Sequence, residues 1–133
     1  MTRYSTSRVA TAAIGVLLAL GVAAQEPIDN CASLLGSLSV ELRHSRNLSP
    51  SARTTFVCPR DTRALLGASK QRIVNSLGPP DATAAAEHEG SAALWSYYFA
   101  ARPESTYPAG VPELRFEFDA VQTVNKVSCQ RTR

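Results

Sequence analysis

Ser69-Lys70-Gln71-Arg72-Ile73-Val74-Asn75-Ser76-Leu77-Gly78-Pro79-Pro80 decides how this chain is built. Ile73, Val74 and Leu77 fall on one side of a helix, and Ser69 is a hydroxyl residue suited to cap its first turn. Gly78 suits the position just past the last turn, and Pro79-Pro80 then forbids continuation and forces extended backbone. Beyond this point the period drops from 3.6 to 2. Leu94 to Ala101 alternates Trp95, Tyr97 and Phe99 with Leu94, Ser96 and Tyr98. Val111 to Phe118 alternates Leu114, Phe116 and Phe118 with Glu113, Arg115 and Glu117. Both read as strands, and the polar side of the second predicts a sheet with one solvated face. Asp119 to Thr123 turns the chain into a further strand, Val124 to Cys129. Ala82 to His88 is a weaker strand candidate, and Arg102 to Gly110, with two prolines, reads as a long hairpin loop.

Working back from Ser69, Arg60 to Leu66 reads as a short helix stopped by Gly67. Earlier still, Cys31, Leu34, Leu35, Leu38 and Leu42 form one apolar stripe, predicting a helix over Asp29 to Ser45 with Asp29 as its N-cap. Arg46 to Thr54 is polar and carries Ser49-Pro50-Ser51, which reads as a linker, so this helix is expected to be loosely attached. Helices followed by an antiparallel meander define the α+β class.

The first 24 residues bear on destination. Met1 to Arg8 holds two arginines and no acid, Val9 to Ala24 is apolar or small apart from Thr11, and polar Gln25-Glu26 follows. That order is the pattern of a secretory signal peptide, with cleavage expected after Ala24. The apolar run falls short of the roughly 20 residues that cross a bilayer. The expected organisation is a signal peptide over 1–24, a helix and linker over 25–57, and an α+β domain over 58–133. The expected location is periplasmic or secreted. A lipid anchor is not expected, because the first cysteine, Cys31, does not directly follow the leader.

The chain of 133 residues carries 14 Lys+Arg against 11 Asp+Glu. Arg3 and Arg8 lie in the leader and every acid lies beyond it, so the mature balance is 12 against 11, or +1. A charge so near zero, with no basic run, argues against nucleic-acid binding. Three cysteines in an oxidising compartment predict one bridge and one spare thiol. No CxxC or Cys/His cluster suggests zinc, and no phosphate-binding glycine motif is present. No metal or cofactor is therefore expected.

Leu65-Leu66-Gly67-Ala68 continuing through Ser69 to Asp81 resembles the signature of the BamE (SmpA/OmlA) family of outer-membrane assembly factors. There a glycine and a small hydroxyl residue open a helix ending in Leu-Gly-x-Pro. Trp95-Ser96-Tyr97-Tyr98 and Leu114-Arg115-Phe116-Glu117-Phe118-Asp119, followed by Val124, resemble that family's strands. The likeness covers about residues 58 to 129. It implies two short helices packed on one face of a three-stranded antiparallel sheet, a scaffold similar to that of β-lactamase-inhibitor proteins, and a role in binding another protein. Gln122 stands where the family has a glycine in the last turn. In the implied arrangement Cys58 and Cys129 bracket the compact unit, which favours their pairing; Cys31 with Cys58 is the alternative.

Candidate chemistry is sparse. His44 and His88 have no accompanying nucleophile motif and read as solvated surface residues. Glu113 and Glu117 share a strand face with Arg115 between them, the pattern of a charge-balanced exterior ladder. Trp95, Tyr97, Phe99, Phe116 and Phe118 read as core packed on Ile73 and Leu77. Tyr98, on the opposite strand face, and Tyr107, in the Pro-rich loop, are the candidates for contact with a partner protein. The sequence thus predicts a non-enzymatic binding module for another protein, of the cell envelope on the family likeness. An inhibitor or immunity protein that blocks a single enzyme is the alternative.

Overall fold

The computed structural model describes residues 29–49, 52, 54–101 and 107–132. The leader expected over 1–24, part of the linker and the first half of the 102–110 loop lie outside the described residues. The fold is α+β. Helix α1 spans Asn30–Arg46, a 3₁₀ turn spans Arg63–Leu65, and helix α2 spans Lys70–Leu77. Four strands follow: β1 (Ala82–Ala84), β2 (Ala93–Tyr98), β3 (Pro112–Phe118) and β4 (Val124–Arg131). They form one antiparallel sheet in the order β1-β2-β3-β4.

The helices start where capping chemistry places them. The Asp29 carboxylate accepts from Ala32 N–H at 3.0 Å and opens α1. Ser69 Oγ accepts from Arg72 N–H at 3.1 Å and opens α2, which closes at Gly78 with φ of 80°. Satisfying these otherwise unbonded amides is what stabilises a helix start.

Two expectations are corrected. The stretch expected as a helix over Arg60 to Leu66 is a single 3₁₀ turn. Asp61 takes the Arg63 N–H onto its own carboxylate at 2.9 Å, and only Leu65 is buried there. One apolar anchor does not offset the cost of nucleating an α-helix. The sheet has four strands where the family likeness implies three. After Pro79-Pro80 the chain runs extended beside β2, pairing Ala82 with Ser96 and Ala84 with Leu94, before leaving as a loop.

The core joins what the sequence separates. Leu35, Leu38 and Leu42 of α1 are at most 2 % exposed and share one cluster with Ile73, Leu77, Tyr97, Phe99, Leu114, Phe116 and Phe118. α1 is therefore an integral part of the core, not a loosely attached helix. Phe56, in the segment after the linker, stacks on Phe99 with ring centroids 3.7 Å apart. Tyr97 is fully buried and donates its hydroxyl to Gly78 O at 2.8 Å, tying β2 to the end of α2. Trp95 is only half-buried: it packs edge-on against Phe118, and the Lys70 ammonium lies 4.8 Å from its ring centre. Cys58 is disulfide-bonded to Cys129, with Cα atoms 5.5 Å apart, and Cys31 is a free, partly buried thiol.

Candidate functional site

Strand alternation and register put Leu94, Ser96 and Tyr98 of β2 on the outer face of the sheet. Glu113, Arg115 and Glu117 of β3 and Lys126, Ser128 and Gln130 of β4 share that face. The sequence predicts a solvated ladder here, and at one end the structure departs from it. Leu94, Ser96 and Glu117 are buried, Glu117 to 6 % exposure. The cause is the loop between β1 and β2, which leans over the face. Asn125 donates to Gly90 O at 3.3 Å and to Ser91 Oγ at 2.9 Å, and Ala92 N–H donates to Phe118 O at 2.7 Å. These bonds bring Glu87 and His88 over β3.

A cluster of polar and charged side chains results. His88 Nδ1 lies 2.6 Å from Glu117 Oε1, and His88 Nε2 lies 2.7 Å from Lys126 Nζ. Lys126 Nζ is 4.0 Å from the same Glu117 oxygen. Beside them Arg115 Nε is 3.4 Å from Glu113 Oε1, an ion pair without hydrogen-bond alignment, and Arg115 Nη2 is 3.9 Å from Glu87 Oε1. The ladder of Glu113, Arg115 and Glu117 thus exists, joined by a loop histidine and a cation from the next strand. His44, by contrast, is exposed in the last turn of α1, where a basic side chain suits the carboxyl end of the helix dipole.

The two tyrosines singled out as contact candidates sit at the other end of the sheet, where β2 leaves and β3 begins. Tyr98 is half-buried on the outer face opposite Glu113, and its backbone N–H donates to Asp81 Oδ2 at 2.7 Å. Asp81 also holds Arg46 at 2.9 Å, so α1, the start of β1 and the end of β2 meet at this carboxylate. Tyr107 lines a cavity of about 330 Å³ together with Leu48, Ala100, Val111 and Arg131. Gly110 closes this end with φ of 72°, and a Cβ there would lie 2.1 Å from Thr132 O. Only glycine permits that approach.

Elsewhere the electrostatics are structural. Arg63 beside Asp61 holds that carboxyl down to about 2. The Ala32 amide, and then Arg72, hold Asp29 below the ordinary carboxylate range. Burial pushes the Tyr97 phenol well above its usual value, with the Asp81 charge adding to it. Among the described residues no group of three His, Cys, Asp or Glu side chains could hold a metal ion, and no helix is long and apolar enough to cross a membrane.

The sequence reading did not connect His88 to Glu117 and Lys126. Register alone places Lys126 opposite Glu117, so that part was available once β3 and β4 were paired. The histidine arrives from a loop, which no periodicity positions. Comparison with known protein families and with curated proteins finds no match to this chain.

Proposed function

We propose that this chain is an exported, non-catalytic protein-binding module, akin to BamE-like envelope assembly factors, that works in the periplasm after its leader is removed. The observation that carries the reading is the cystine between Cys58 and Cys129, which brackets the segment of family likeness and suits an oxidising compartment. The likeness in order and spacing over residues 65–81, 95–98 and 114–124 supports the same view. So does the placement of those segments on α2, β2 and β3 with the turn that follows. On this reading the helices cover the inner face of the sheet, and the partner is met at the opposite end from the His88 loop, by Tyr98 and Tyr107.

The test is site-specific photo-crosslinking of the full chain in a bacterial envelope, with the crosslinker at position 98 or 107 and, as a control, at exposed Val40 on α1. Adducts with outer-membrane proteins from positions 98 and 107, absent from position 40, are the expected result. A single soluble enzyme captured instead would replace the assembly role with that of an inhibitor. Equal labelling from all three positions would refute the surface. Mass spectrometry of the same material is expected to find Gln25 at the amino terminus.

A further inference from the structure

We infer that the cavity beside Tyr107 is a binding site for a small amphiphilic acid, which inserts an apolar group and leaves its carboxylate on Arg131. The cavity, of about 330 Å³, lies where the segment after α1, the exit of β2, the entry to β3 and the end of β4 converge. Its lining grades from apolar to charged. Ala100, Gly110 and Val111 are buried and form its floor, and Leu48, Ala52 and Thr54 make a half-buried side. Tyr107 is half-buried, and Arg131, the only charged residue of the described lining, is exposed. An apolar floor below a single cation takes a ligand tail first and holds its anionic head at the surface. A water's share of liquid volume is about 30 Å³, so the space fits on the order of ten non-hydrogen atoms. That is one short chain or one apolar residue, and too little for a whole lipid.

Hydrogen bonds hold both walls in place. Val111 N–H donates to Thr132 Oγ1 at 2.9 Å and Thr132 N–H donates to Val111 O at 2.8 Å, which fixes the floor. On the other side Ala52 N–H donates to Ser49 O at 2.9 Å, and Thr54 Oγ1 lies 3.3 Å from Ser45 Oγ. Between these walls Ala52, Ala100 and Ala101 project only methyl groups, so the apolar lining lacks partner atoms that an inserted group would supply. Arg131 is ready for the head. Its Nη1 donates to Gly110 O at 2.8 Å, which sets the guanidinium beside the cavity and uses one of its five N–H groups. Arg46, Arg63, Arg72 and Arg115 each hold an acid, whereas Arg131 forms no ion pair among the described residues. A guanidinium with donors to spare grips a carboxylate through paired, charge-assisted bonds. The cavity shares Tyr107 with the contact surface proposed above but stands apart from that reading, since its ligand binds with no envelope protein present.

The test is a titration of the purified protein followed by nuclear magnetic resonance of the Leu48 and Val111 methyl groups. Octanoate should shift both, with Kd in the millimolar range or tighter. Octanol, the same chain without the charge, should bind at least tenfold more weakly. Arg131→Gln should bring octanoate down to the level of octanol. Ala101→Leu, which fills the cavity from a half-buried position, should abolish binding of either while Tm stays close to that of the parent; if Tm falls, Ala109→Leu at an exposed lining position replaces it. A tripeptide ending in leucine, with its carboxyl free or amidated, separates the two sources of such a group. Binding of the free-ended peptide assigns the site to the chain end of another protein, and binding of octanoate alone assigns it to a free acid. Methyl resonances unmoved by octanoate and by the free-ended peptide would overturn the inference. So would octanol binding as tightly as octanoate, full affinity in Arg131→Gln, or binding that survives the filled cavity.

Discussion

Replacing Gln122 by glycine should make the protein more stable. Gln122 is the only non-glycine residue with positive φ among those described, at 64°. The turn that imposes this is tightly held. Asp119 Oδ1 accepts from Val121 N–H and Thr123 N–H, each at 3.0 Å, and Gln122 O accepts from Lys70 N–H at 2.9 Å. The left-handed region costs an L-residue about 1–2 kcal/mol. Glycine avoids that but gives the unfolded chain more freedom, at about 0.4–1 kcal/mol. The Gln122 side chain is exposed and touches only the shallow groove beside Lys70 and Trp95, so little contact is lost. The net gain is about 0.5–1 kcal/mol, a rise in Tm of a few degrees for a domain of this size. Denaturant and thermal unfolding followed by fluorescence of Trp95, the only tryptophan, would measure it. Gln122→Ala retains the strain and should gain nothing. If glycine stabilises no more than alanine, or lowers Tm, the turn is not strained and the reasoning fails.

Leu38→Ala should cost about 2–5 kcal/mol in the same unfolding assay, because Leu38 is 2 % exposed in the shared core; a loss below about 1 kcal/mol would show α1 to be dispensable. Replacing Cys58 and Cys129 together by serine opens a loop whose ends are 71 residues apart, and chain entropy puts the loss at about 4 kcal/mol. Unchanged stability under reducing conditions would refute the bridge. Asp29 is held below its ordinary value of 3.8 by the Ala32 amide and Arg72, so the stability it adds is complete above that pH and is lost as acid takes the medium through its lower folded value. Asp29→Ala should lower Tm near neutrality and flatten the fall of Tm at low pH; a parallel, undiminished acid fall would refute the pairing.

The helix caps, the change of period after Pro79-Pro80 and the alternation of β2 and β3 were legible because each depends on neighbours in sequence. α1 shows where that legibility ends. Its apolar stripe is plain, yet its attachment depends on joining one buried cluster with Ile73, Tyr97 and Phe99, which only the fold brings together. Trp95 fails the expectation of full burial for a similar reason, since Lys70 shields one side of it without sealing it. The outer-face charges were visible as types and spacing. Their burial was not, because it depends on Asn125 drawing a loop across the sheet.

The link between Cys58 and Cys129 makes the region between them a covalent ring. Tension applied through the backbone on either side of that ring crosses at the sulfurs and bypasses residues 59–128, which hold the 3₁₀ turn, α2, the first three strands and most of β4. Under load only the flanks can lengthen, α1 with its linker on one side and the last few residues on the other. A partner that pulled on this protein would therefore peel α1 from the shared core first, while the sheet beneath kept its shape until the cystine was reduced.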